Sequence, residues 1–144
     1  MHPKTNNSGY LLNAETLAYQ GSALSAGVAS AGSAVALNLR GSFVLVCAIA
    51  GSAGTPTSGT VTLAVQAAPS TTSGDFVAVD DRDGNPVTLA VTLTDGIGSV
   101  NVDTQYFPAG STHVRVVPTV ALSGGSSPTV SFTASLVTES WDHL

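Results

Sequence analysis

Along most of this chain, hydrophobic and polar residues alternate with a period of two. The pattern is sharpest at residues 129–136, where Val130, Phe132, Ala134 and Leu136 fall on one face and Thr129, Ser131, Thr133 and Ser135 on the other. Successive side chains of a strand point to opposite faces, so this segment is predicted as a strand with a core face and a hydroxyl face. The alternation recurs at residues 60–66, 87–94, 99–103 and 113–116. With residues 34–39, 43–49 and 76–80 it predicts about eight strands, the pattern of a sandwich or barrel. Polar turns separate them at residues 51–59, 69–74, 95–96, 108–110 and 124–128. Helical spacing is nearly absent: only residues 14–20 could hold a turn or two, too few to be stable alone.

The two ends depart from this pattern. Residues 1–20 carry Tyr10, Leu11, Leu12, Leu17 and Tyr19 without strand alternation, and residues 138–144 carry the single tryptophan, Trp141. The chain therefore divides into an extended N-terminal arm (1–20), a single all-β sandwich domain (21–137) and a short C-terminal tail (138–144). Ends that lack a core of their own tend to fray. A neighbouring subunit or a partner protein is their natural support, and these six large side chains are the expected contacts, with Trp141 as an anchor.

Composition narrows the function. A chain of 144 residues suits one domain with a real core. Only 9% of its residues are charged, where about a quarter is ordinary, so its polar surface is mostly Ser, Thr, Gly and Asn. Four scattered basic residues in a chain of net charge -5 offer no stripe for phosphates, which argues against nucleic-acid binding. The first residues hold no uninterrupted apolar stretch of a secretory signal, and no run approaches the roughly 20 residues of a membrane helix. We expect a soluble protein, made in a cytoplasm and without a membrane partner. Cys47 lies inside the apolar run 43–50, where a thiol is buried and inert, and as the single cysteine it can form no internal disulfide.

Candidate chemistry is sparse. The stretch Val79-Asp80-Asp81-Arg82-Asp83-Gly84-Asn85-Pro86 clusters acids beside a glycine, but an EF-hand aligned on Gly84 would begin at Val79 and end at Ala90, neither of which can ligate calcium. Asp83-Gly84 reads instead as a hairpin turn between strands at 76–79 and 87–91, its carboxylates in water. A solvated turn tip gives no environment to split two carboxyl pKa values for acid/base work. Lys4 is the only lysine, which excludes a P-loop. His2, His113 and His143 lack metal-ligand spacing, and no Gly-x-Ser-x-Gly elbow is present. His113 and Arg115 share the outward face opposite Val114 and Val116. We expect no catalytic residue, cofactor or metal. Tyr106-Phe107 reads as a strand end packed under the Pro108-Ala109-Gly110 turn, with a sugar-binding platform as the alternative.

Three stretches together resemble small all-β virion proteins of tailed bacteriophages, including head decoration (cement) proteins. They are the Ala/Ser/Gly-rich early strands ending at Arg40-Gly41, the strand and Pro-x-x-x-Ser-Gly turn within residues 55–79, and the closing segment 107–137. The likeness lies in the order of strands and turns between residues 22 and 137. It implies a β-sandwich, often jelly-roll-like, that assembles on the capsid surface and catalyses nothing. It further implies a major capsid protein as partner, self-association as a homotrimer, and a role in stabilising contacts between capsomers, with the six terminal residues as anchors. A tail or fibre component has the same implied fold. A glycan-binding module using Tyr106, Phe107 or the Asp80–Asp83 turn is the rival from another class.

Overall fold

The computed structural model describes residues 13–37 and 42–139. Within them ten strands follow one another: β1 (Asn13–Leu24), β2 (Gly27–Val28), β3 (Val35–Ala36), β4 (Ser42–Ala53), β5 (Ser58–Ala68), β6 (Val77–Ala78), β7 (Thr88–Thr92), β8 (Ile97–Asp103), β9 (His113–Ser123) and β10 (Thr129–Glu139). All pair antiparallel, in two sheets. One has the order β1-β10-β4-β8; the other has the order β2-β9-β5-β6, with β3 also on β9 and β7 also on β5. The chain is thus the all-β sandwich its alternation predicts.

The inner faces are the apolar faces of that alternation. Phe43, Leu45 and Cys47 on β4 and Val130, Phe132 and Ala134 on β10 meet Val61, Leu63 and Val65 on β5 and Val114 and Val116 on β9, all buried. Each such side chain contributes about 1.5–3 kcal/mol relative to exposure. On β5 the opposite face carries hydroxyls, with Thr60 and Thr62 half-exposed beside buried Val61 and Leu63, whereas β4 turns Val44, Val46 and Ala48 outward.

The first strand corrects the sequence reading. Residues 14–20 form no helical turn, and the expected arm is a strand from Asn13 onward, paired with β10 along its length. Its alternation is hidden by register shifts between Leu17 and Tyr19 and between Gly21 and Leu24. A bulge puts an extra residue into one strand and so breaks the period of two. Tyr19 consequently lies flat against Phe132, ring centroids 5.5 Å apart. Gly21 sits under the same ring, where a Cβ would fall 2.7 Å from Phe132 Cε1, so the strand approaches this closely only because it has no side chain there.

A second difference concerns β9, which runs on past residue 116, through Pro118, to Ser123. Proline cannot donate to a ladder and is tolerated where its nitrogen faces an interrupted edge. Here the Pro118 carbonyl accepts from Ala29 N–H (2.9 Å) and Val116 from Gly32 N–H (2.8 Å), between the two-residue strands β2 and β3. The missing donor thus points to the side where the sheet edge is already broken into two pieces.

The third concerns residues 76–91, expected as two strands joined by a hairpin turn. β6 and β7 instead pair with successive parts of β5, Ala78 opposite Gln66 and Thr88 opposite Ala64. They form one edge strand interrupted by an ear at residues 79–87. Val79 N–H donates to Val65 O (3.0 Å) and Val65 N–H to Val87 O (3.2 Å), while Val87 N–H donates to Val79 O (2.8 Å) and closes the neck.

Candidate functional site at the terminal end of the sandwich

The first and last strands are neighbours, and their outermost pair is Asn13 opposite Glu139. The described residues therefore begin and end side by side. Tyr10, Leu11, Leu12 and Trp141 lie beyond it, outside the described residues. The other two candidates separate. Leu17 stands on the outward face and is 55% exposed, whereas Tyr19 packs into the protein's own core against Phe132. Leu17 keeps the geometry of a contact residue, and Tyr19 is needed by the fold.

Register places further features at this end. Glu15 faces Val137, Val137 faces Val44, and Val44 faces Asn101, so β8 finishes here at Asp103, opposite Ser42. A 3-10 turn, Thr104–Tyr106, follows, and the Asp103 carboxylate caps it by accepting from Gln105 N–H at 3.1 Å. Phe107 then turns inward, edge-on to Phe43 at 6.2 Å, and leaves Tyr106 40% exposed. The strand-end reading of this pair holds for Phe107, so a flat two-ring platform is not formed. A hollow of about 280 Å³ lies beside it, lined by Leu37, Thr104, Phe107 and the turn from Pro108 to Ser111. Among the described residues no titratable side chain lines it.

The acidic ear is occupied with its own backbone. Asp81 Oδ1 accepts from the N–H groups of Asp83 (2.8 Å) and Asn85 (3.0 Å), Asp81 N–H donates to Asn85 O (2.8 Å), and Gly84 takes φ +82° to close the turn. Asp80 and Asp83 are exposed. Among the described residues no three His, Cys, Asp or Glu side chains gather so as to hold a metal ion.

Two further groups complete the picture. Burial pushes the Cys47 thiol up to about 11, which keeps it protonated and unreactive at neutral pH. Arg115 does point outward, as its strand face requires, but it is tied down: its Nε donates to Gln66 Oε1 (2.8 Å), Nη1 to Ser73 Oγ (3.1 Å) and Nη2 to Ser73 O (3.4 Å), and its guanidinium lies 4.2 Å from the centre of the Phe76 ring. Nothing near Arg115 in the sequence foretells partners some 40 residues away. It fastens the crossing segment 69–76 onto the sheet, while His113 shares its Nδ1 with the Thr112 hydroxyl at 2.8 Å. No family model, curated protein or solved structure matches the chain.

Proposed function

We propose that this protein is a non-enzymatic assembly protein of a virion, a decoration protein that binds the outer surface of a tailed-phage capsid and bridges capsomers. The observation that carries the reading is the pairing of Asn13 with Glu139. It sets the first and last described residues side by side, with Leu17 on the adjoining outward face; in this reading Tyr10, Leu11, Leu12 and Trp141, which lie outside the described residues, serve together as the attachment contacts. Surfaces built of hydroxyls and small apolar groups support it, because neutral groups lose less than charges when buried in a lattice of copies. The alternation of the long strands between sheets also supports a jelly roll: β4 and β5, β7 and β8, β8 and β9, and β9 and β10 lie in opposite sheets.

The test is co-sedimentation with shells of the accompanying major capsid protein. Saturable binding at a copy number set by the shell's symmetry is the expected result. Deleting residues 1–12, or substituting Trp141→Ala, weakens that binding at least tenfold while leaving the melting temperature of the free protein unchanged. Absence of binding by the intact chain overturns the reading, and unaltered binding by both variants overturns the role given to the ends.

A further inference from the structure

From the edge of β8 we infer a docking site for an extended segment of another protein, which adds to the β1-β10-β4-β8 sheet as a further strand. An unpaired edge is a template for foreign strands, and natural sheets blunt it with bulges, breaks, prolines or lysines. Here the other edges are blunted. β1 carries two register shifts, the edge made by β2 and β3 consists of two-residue pieces, and the edge made by β6 and β7 is split by the ear at residues 79–87. β8 runs straight: its seven residues, Ile97–Asp103, pair with β4 in unbroken register and include no proline, lysine or arginine.

The ladder fixes which backbone groups are open. Ile49 N–H donates to Gly96 O at 2.7 Å, and Ala48 stands opposite Ile97. In an antiparallel pair, residues bonded to the neighbouring strand alternate with residues that turn their N–H and C=O the other way. Gly98, Val100 and Val102 therefore bond to β4, and Ile97, Ser99 and Asn101 present their N–H and C=O groups outward, with no partner strand among the described residues. The inward face is open at the same place. Val100 is only half-buried, although Leu45 opposite it is completely buried, so an added strand would lay apolar side chains beside Val100, along the seam between the sheets.

Charge and pattern select the occupant. Asp103 ends the strand and Asp95 stands in the turn just before it, both exposed, so the row of open groups lies between two carboxylates. A second copy of this chain would bring the same two acids on a net charge of -5, and is disfavoured. The matching partner is a segment of about seven residues with a basic side chain at each end, one beside Asp103 and one beside Asp95. Its alternate positions, facing the seam, are apolar. Backbone bonds to Ile97, Ser99 and Asn101 hold such a segment in register, and the flanking charges decide which segment is taken. The inference does not rest on the decoration reading, because its test needs no capsid.

The probe is a blocked peptide, Lys-Val-Thr-Val-Thr-Val-Lys, titrated into the isotope-labelled full chain and followed by amide NMR. The expected result is saturable shifts centred on residues 95–103, with exchange of the Ile97, Ser99 and Asn101 amides slowed at saturation. Methylating the peptide's threonine nitrogens, which face β8, weakens binding about tenfold or more, and methylating its inner valine nitrogens, which face away, does not. That comparison leaves the protein itself unaltered. Glutamate in place of both lysines weakens binding, as does Ser99→Pro, which deletes an outward N–H and no bond to β4. Absence of shifts at about 1 mM peptide, shifts centred on another edge, or indifference to threonine methylation overturns the inference. So does slow exchange of Ile97, Ser99 and Asn101 in the chain alone, which would assign the edge to the chain's own residues or to a second copy.

Discussion

Replacing Arg115 with alanine removes one side chain that joins four parts of the outer surface: the β9 strand, Gln66 on the neighbouring strand, the Ser73 turn and the Phe76 ring. The partly buried bond to Gln66 is worth about 1 kcal/mol, since its partner would be left without a donor. Guanidinium stacking over a ring on the protein surface adds about 0.5–1 kcal/mol. The Ser73 contacts are exposed, one is long, and together they contribute a few tenths. Arg115→Ala should therefore destabilise the protein by about 2 kcal/mol, which for a domain of this size lowers Tm by roughly 6–8 °C. Urea unfolding followed by circular dichroism measures the change directly. A double-mutant cycle with Gln66→Ala should return a coupling near 1 kcal/mol. Arg115→Lys keeps the charge but not the planar fork, and should recover less than half of the loss. Amide exchange should quicken at residues 69–76 before it quickens in the core strands. Stability within about 0.5 kcal/mol of the parent, a typical surface substitution, would refute the reasoning, as would full rescue by lysine.

Other outcomes follow from the same structure. Because the Cys47 thiol is raised from 9.0 to about 11, the folded state holds its proton more tightly than the unfolded state does; the resulting stability is complete below pH 9 and is lost as pH rises towards 11, by roughly 3 kcal/mol. Cys47→Ala should flatten that part of the pH profile in urea titrations, and a thiol reagent at neutral pH should react only with unfolded protein. Gly21→Ala forces a methyl into the Phe132 ring and should cost about 1–3 kcal/mol, read by the same urea titrations. Asp81→Ala removes the acceptor of two backbone N–H groups and should cost about 1 kcal/mol, while millimolar calcium leaves the parent's Tm unmoved because that oxygen is already engaged.

What could be read from the chain depended on whether its signals were local. β10 and β5 announce themselves because Val130 to Leu136 and Val61 to Val65 alternate without a fault and both strands are buried on one face. β1 does not, since the bulge beside Ala18 turns two successive residues inward and leaves a string that mimics neither strand nor helix. β9 was legible only over residues 113–116; its run through Pro118 to Ser123 depends on a broken edge contributed by residues 27–36, beside which the missing N–H is harmless. The ear was legible as a turn but not as an interruption of one edge strand, because Val65 is the residue that ties both of its sides. For the candidate site, residue type alone did not separate Leu17, which is exposed on the outward face, from Tyr19, which could be assigned to the core only once Phe132 was seen beneath it.

The place of β10 has a consequence for synthesis. Among the described strands it is the last to be made, yet it lies between β1, the earliest of them, and β4. At about 5–20 residues per second, β1 waits on the order of ten seconds for β10, its only ladder partner among the described residues, and the inner face of β4 stays uncovered on that side for much of the same time. Pairing the first and last described strands closes a loop that spans nearly all of the described residues, which makes the step slow as well as late. A chain cut short before Thr129 has no β1-β10-β4 ladder and so no complete sandwich. Completion of the sandwich thereby depends on synthesis through β10.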